Sequence, residues 1–303
     1  MLASTTGNTG RVLRQEISEI VFTVSNIREI LRYAENHIML QKLGIEVLTS
    51  LAMDEEARER IGATGGMIKE LLRLFFREGC DTQQQIELRT EAGEALAMLA
   101  LENERNCERI LKGERVIDRL VACLADPTVR ISSIRILKNL CAFNGTEFVS
   151  RLRGVADALP TVLNAIMVEE MKLLEVSLGL AVQIFNVISY EEYMKELEKS
   201  GIREDQFAER LVKLLNTYSY PSIKVPRIRR FLIELAIWLM RSDEEKYVTS
   251  FKSFGLEAEL ENVAETMSEL ECFNVFSGSV GLSRHNRALS SLVEAALEWV
   301  REG

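Results

Sequence analysis

The sequence predicts an all-α chain: a right-handed α-solenoid, or superhelix, of about six irregular repeats. Three observations carry this. Apolar residues recur at helical spacing through almost every segment. Only four prolines, Pro127, Pro160, Pro221 and Pro226, interrupt 303 residues, so long stretches can stay helical. A leucine-centred pattern also returns at long, nearly regular intervals, and no alternating apolar run bounded by turn residues is long enough to argue for a sheet. With 47% hydrophobic residues a large core can be buried, and wholesale disorder is excluded.

Residues 1–10 are small, polar and glycine-containing, and read as a frayed or appended lead-in. The rest, 11–303, reads as a single solenoid domain whose last repeat, about 245–303, is an atypical cap. From Arg11 onward Ile17, Ile20, Val21, Val24, Ile27, Ile30 and Leu31 form the i, i+3, i+4, i+7 stripe of an amphipathic helix. The repeated unit follows. Leu48, Ser50, Leu51 and Ala52 precede Ile61, Gly65, Gly66, Met67 and Ile68. Leu96, Met98, Leu99 and Ala100 precede Ile110, Gly113, Val116 and Ile117. Leu137, Asn139, Leu140 and Cys141 precede Leu152, Gly154 and Leu159, and a degenerate copy runs from Ile184 through Asn186 and Val187 to Gly201. The equivalent positions 51, 99, 140 and 187 lie 48, 41 and 47 residues apart, which is the period of helical solenoid repeats. In each copy a long helix ends after the leucine and a short turn follows. A second helix carries the isoleucine, and a glycine is expected to close it in the left-handed conformation. Asp126 before Pro127 reads as an N-cap with proline at the first helical position. One such unit cannot bury its own apolar face, so neighbours must stack.

These residues resemble the armadillo repeat. The stretch from Asn106 to Cys141, with Gly113, Ile117, Leu120, Leu124, Asp126, Pro127, Asn139 and Leu140, carries the resemblance best, and it extends over about 45–165 and more weakly over 166–240. The wording around 11–54 and 284–300 is also similar to large plant proteins built on armadillo repeats, where such a segment would be the C-terminal array. The resemblance implies that the third, longest helix of each repeat lines a concave groove. There importin alpha and beta-catenin hold extended peptides with a ladder of asparagines, whose amides both donate to and accept from a peptide backbone. Carried over residue by residue, the ladder falls on Ser50, Met98, Asn139 and Asn186. The positions one turn earlier, tryptophan in importin alpha, fall on Glu46, Glu94, Arg135 and Val182. Two of the four ladder positions keep asparagine and none of the earlier positions is aromatic, so a nuclear-localisation-signal mode is not expected. What remains is a groove that starts acidic at Glu46 and Glu94 and turns basic at Arg135.

The one concentrated basic segment is Lys224, Arg227, Arg229 and Arg230, preceded by Tyr218 and Tyr220. It reads either as a docking patch for an acidic partner segment or an anionic membrane surface, or as the solvated first turn of a helix with Ile228 and Phe231 inward. Glu257, Glu259, Glu261, Glu265, Glu269 and Glu271 read as a solvated face rather than a catalytic carboxylate pair, followed by a break at Ser277 to Gly281. Trp238 and Trp299 read as core or cap residues.

The balance of 37 basic and 46 acidic residues, a net charge of −9, argues against general nucleic-acid binding, which needs clustered positive charge. Two histidines, His37 and His285, and five cysteines, Cys80, Cys107, Cys123, Cys141 and Cys272, show no metal-ligand spacing. The cysteines read as reduced core fillers of a cytoplasmic protein, with nuclear or membrane-peripheral placement open. No phosphate-binding glycine loop and no bilayer-spanning run is present. The expectation is a non-enzymatic scaffold for a protein or peptide partner, without metal or cofactor, its oligomeric state open. The alternatives are an array that docks or oligomerises through its convex face or end, and an all-α enzyme.

Overall fold

A computed structural model describes residues 7–20, 22–33, 37–79, 82–142, 152–272 and 287–302. Among them there is no β-strand. The helices are α1 (Gly7–Glu19), α2 (Thr23–Leu31), α3 (Ile38–Leu51), α4 (Glu55–Ala63), α5 (Met67–Phe75), α6 (Gln83–Ala100), α7 (Glu104–Leu111), α8 (Val116–Ala122) and α9 (Arg130–Cys141). Then come α10 (Leu159–Val168), α11 (Met171–Phe185), α12 (Tyr190–Ser200), α13 (Glu204–Thr217), α14 (Ile228–Ser242), α15 (Glu244–Ser253), α16 (Leu256–Thr266) and α17 (Leu289–Glu302). Residues up to 155 form one compact unit and those from 156 another. Residues 7–10, expected in the lead-in, belong to α1.

The first unit holds three helix triplets: α1 to α3, α4 to α6, and α7 to α9. Third helices stack on one another, α3 on α6 and α6 on α9, while the first helices α1, α4 and α7 stack alongside. The repeat leucines drive this: Leu51, Leu99 and Leu140 are fully buried, each withdrawing about 1.5–3 kcal/mol of apolar surface from water. In the second unit α11 stacks on α14 and α14 on α17.

Side chains at helix starts explain where the chain turns. Asp54 accepts from the Ala57 amide at 3.0 Å and Asn103 from the Asn106 amide at 2.8 Å. Thr82 with Gln85, and Ser189 with Glu192, form reciprocal capping boxes. The expected glycine closure holds only in part. Each of the five complete triplets has a residue of positive φ between its first and second helix: Phe22, Gly66, Arg115, Gly201 and Gly255. Gly113 is not one of them. It is small because a Cβ there would stand 2.4 Å from Val116 Cγ2, and Arg115 makes the left-handed turn two residues later. Asp126 accepts from the Thr128 amide at 2.9 Å and begins a turn, with α9 itself starting at Arg130.

Asn106 ties two repeats of the first unit together. Fully buried, it donates to the Arg58 and Leu99 carbonyls, both at 3.0 Å, and accepts from Arg109 at 2.7 Å. Gly62 leaves room for it, since a Cβ would fall 1.7 Å from Asn106 Oδ1. In the second unit Phe185, Tyr193 and Trp238 pack as a ring cluster, with Trp238 4.5 Å from Phe185 and 5.5 Å from Tyr193.

Candidate functional site

In the first unit the outward face of α3, α6 and α9 collects most of the residues expected on a binding surface. The helical period puts Leu43, Glu46, Val47 and Ser50 on the open side of α3, because Ile45, Leu48 and Leu51 are spent on the core. On α6, Glu87, Glu91, Glu94 and Met98 are partly exposed on the same face. Lys42 reaches from α3 to Glu87 at 2.7 Å. Glu94 is neutralised from the other side, pairing with Arg135 of α9 and accepting from Ser132 Oγ at 2.9 Å. Between these pairs Glu46 and Glu91 form no ion pair among the described residues. Partial burial pushes the Glu91 carboxyl above its ordinary value, and the Glu46, Glu94 and Glu87 charges push the same way against Lys42. Four carboxylates thus face two cations, and Lys42, already bonded to Glu87, offsets Glu46 and Glu91 only through space.

Glu87 and Glu91 were not among the expected residues. Their spacing with Glu94 (i, i+4, i+7) was the available signal, since it places all three on one helical stripe. Arg135 stands where the armadillo resemblance put it, but its charge goes to Glu94. Asn139 does not fit a free ladder. It is 6% exposed and its Nδ2 donates to the Ala97 carbonyl of α6 at 2.8 Å, so the amide serves the stacking of α9 on α6.

The fourth copy is shifted. Buried Ile184 is the penultimate residue of α11, as Leu99 is of α6 and Leu140 of α9. The ladder slot is therefore Gln183, three residues before Asn186, which follows the helix as an exposed C-cap. Val182 is buried. Val187, at the leucine position by sequence spacing, lies beyond the helix end and is only half-buried. Val182, Gln183 and Asn186 border a 290 Å³ pocket with Glu234, Trp238 and Arg287. Burial raises the Glu234 carboxyl, opposed by Arg230 and Arg287.

The basic segment dissolves into the interior of the second unit. Lys224 alone stands exposed. Arg227 is half-buried, and its amide donates to Glu175 Oε1 at 3.1 Å. Arg229 is buried against Glu271, with Nε to Oε1 and Nη2 to Oε2 both at 2.6 Å. It also donates to the Ser219 carbonyl at 2.8 Å and Thr266 Oγ1 at 2.7 Å. Arg230 is buried too, donating to the Arg287 carbonyl at 2.7 Å and pairing with Glu234 at 3.4 Å. An exposed patch of Arg229 and Arg230 is therefore corrected, as is a solvated Glu271: two charge clusters that looked like surface features meet as partners. A buried charge needs a partner, and residue 271 supplies it from 42 positions away.

His37 is exposed at the start of α3. Burial pushes the Cys107 and Cys141 thiols up to about 12. His285, Cys80 and the break from Ser277 to Gly281 lie outside the described residues. Among the described residues no group of three His, Cys, Asp or Glu side chains is placed to hold a metal, and no helix is long and apolar enough to cross a membrane.

Solved structures with the same architecture exist. A designed armadillo repeat protein aligns with TM-score 0.62 and 16% identity, over 91% of this chain and 99% of its own. The fold is an armadillo-type α-solenoid. Another designed armadillo repeat protein, in complex with the peptide (KR)4, aligns with TM-score 0.61 and 16% identity over 92% and 99% of the two chains. One computationally designed for modular peptide recognition aligns with TM-score 0.60 and 16% identity, over 91% and 99%. No protein-family profile matches the sequence, and no curated protein matches it.

Proposed function

We propose that this armadillo-type protein is a scaffold that acts by binding, without a catalytic step of its own. In this reading the third-helix face of its first unit holds an extended basic segment of a partner protein. The observation that carries it is the unneutralised pair Glu46 and Glu91, flanked by Glu87 and Glu94, on the exposed face of α3 and α6. Partial burial, and after it repulsion from Glu46, raises Glu91; a lysine or arginine placed between the two carboxylates would favour the ionised form of both. Leu43 and Val47, both exposed, offer apolar surface to the aliphatic stem of such a side chain. Stacked helices lie about 8–10 Å apart and an extended chain advances about 3.3 Å per residue. Each helix step then meets two to three peptide residues. The designed neighbour that carries a (KR)4 peptide supports the same ligand chemistry. Met98, Ser50 and Arg135 border the face, Asn139 supports it from beneath, and the segment at 224–230 has no docking role in this reading.

The test is fluorescence anisotropy with labelled (KR)4 peptide. Glu46→Gln with Glu91→Gln should weaken binding at least about tenfold, since each lost charge contact is worth about 1 kcal/mol or more when partly desolvated. Wild-type affinity should fall steeply with salt. Unchanged affinity in the double variant, or equal binding of an (EA)4 peptide, would remove this face from the account.

A further inference from the structure

A second concave site lies in the first unit, on helices that the third-helix face does not use. It is a 690 Å³ pocket between the α4–α5 and α7–α8 junctions, within the range of about 300–1,000 Å³ typical of small-molecule sites. Its apolar surface comes from Ile68 and Leu72 of α5, Phe76 just after it, and Val116 of α8. All four are otherwise buried in the repeat core. The charges around it are one-sided. Lys69, Arg73, Arg109, Lys112 and Arg119 line the pocket, against the single carboxylate Glu114.

Two of the five cations are engaged. Arg73 pairs with Glu70 at 2.8 Å and Arg109 reaches Glu59 at 3.4 Å. Lys69, Lys112 and Arg119 form no ion pair among the described residues. The Arg119 guanidinium lies 4.0 Å above the Phe76 ring, a cation–π contact that poises a charge over the apolar part of the cavity. In a chain of net charge −9, a pocket lined by five cations and one carboxylate departs from the average surface. An apolar cavity rimmed by unpaired cations matches a ligand with an apolar body and an anionic head.

We propose that this pocket binds a small amphiphilic anion, an alkyl or aryl phosphate, sulfate or carboxylate, with its body against Leu72 and Phe76 and its head between Lys69, Lys112 and Arg119. The site would let a small molecule act on a repeat whose third helix carries the acidic face.

Calorimetric titration of the intact protein with octyl phosphate, 1-octanol and inorganic phosphate tests this. Octyl phosphate should bind, with octanol and phosphate each at least about tenfold weaker, because each keeps only half of the match. Lys69→Glu with Lys112→Glu should abolish octyl phosphate binding while leaving the melting temperature unchanged, as both side chains are exposed and unpaired. Lys213→Glu with Lys252→Glu in the second unit makes the same change in net charge and should leave binding intact. The proposal is overturned if octanol binds as well as octyl phosphate, or if the two double variants behave alike. Binding of inorganic phosphate at full strength also overturns it. So does a Leu- and Glu-containing peptide that competes for the pocket while octyl phosphate does not bind, since that would make it a peptide-docking surface.

Discussion

The buried pair Arg229 and Glu271 offers the sharpest check on how the second unit is held together. Both side chains are essentially out of solvent. Replacing Glu271 with alanine leaves the guanidinium buried with only the Ser219 carbonyl and Thr266 to satisfy it. Two charge-assisted bonds at 2.6 Å disappear, each worth about 1.5–3 kcal/mol. Breaking a buried pair in this way costs about 3–5 kcal/mol. Arg229→Met should lose a similar amount by stranding the carboxylate, which would retain only the Ser268 amide at 3.1 Å. The double variant Arg229→Met with Glu271→Leu removes both charges and keeps the volume filled. Its cost should be only about 0–2 kcal/mol, since the Ser219 carbonyl still accepts from Thr266 Oγ1 at 2.9 Å. Both tryptophans of the chain, Trp238 and Trp299, lie in the second unit. Urea unfolding followed by their fluorescence therefore reports on the right part of the molecule, and the coupling comes from the double-mutant cycle. Single variants that each lose under about 1 kcal/mol, or a double variant whose loss equals their sum, would refute the buried pairing. Reversing Arg229 and Arg230 to glutamate is by the same logic a test of folding and says nothing about docking.

Three further outcomes follow from the geometry. The raised Glu91 carboxyl sets a pH sign: its ionised form opposes folding at neutral pH, and this opposition fades as pH falls through the raised value. Affinity for a basic peptide should run the other way, dropping as pH falls and earlier than an ordinary carboxylate would require; anisotropy titrations should lose that early drop in Glu91→Gln. Gly62→Ala should destabilise the first unit by about 2–4 kcal/mol in chemical denaturation, because the new methyl displaces the buried Asn106 and breaks its bonds to the Arg58 and Leu99 carbonyls; a neutral result would mean that Asn106 does not bridge the repeats. Leu140→Ala should cost about 2–5 kcal/mol, as the side chain is wholly buried on α9, and a negligible loss would misplace the third repeat.

The all-α class, the repeat period and the core leucines 51, 99 and 140 were legible from spacing alone, because burial of a helical stripe is a local property of the chain. The acidic start of the third-helix face was legible through Glu46 and Glu94, while Glu87 and Glu91 needed only the same stripe read backwards. The fate of the asparagines was not legible. Asn139 and Asn186 look alike in sequence, yet one is buried against the Ala97 carbonyl and the other sits past a helix end, exposed.

Periodic apolar residues commit this chain to helices that must stack, a short-range effect that a linear reading captures. Where the helices begin is less plain: Asp54, Thr82 and Ser189 cap helices, whereas Asp126, which has the same look in sequence, begins only a turn. The partner of each charge is another matter. Arg229 and Glu271, or Arg135 and Glu94, lie 42 and 41 residues apart, and nothing local distinguishes a charge that will be buried in a pair from one left in water. Only the stacking of one repeat on the next brings such residues together. It decided which charges vanish into the core and which, like Glu46, Glu91, Lys69 and Lys112, remain free to meet something else.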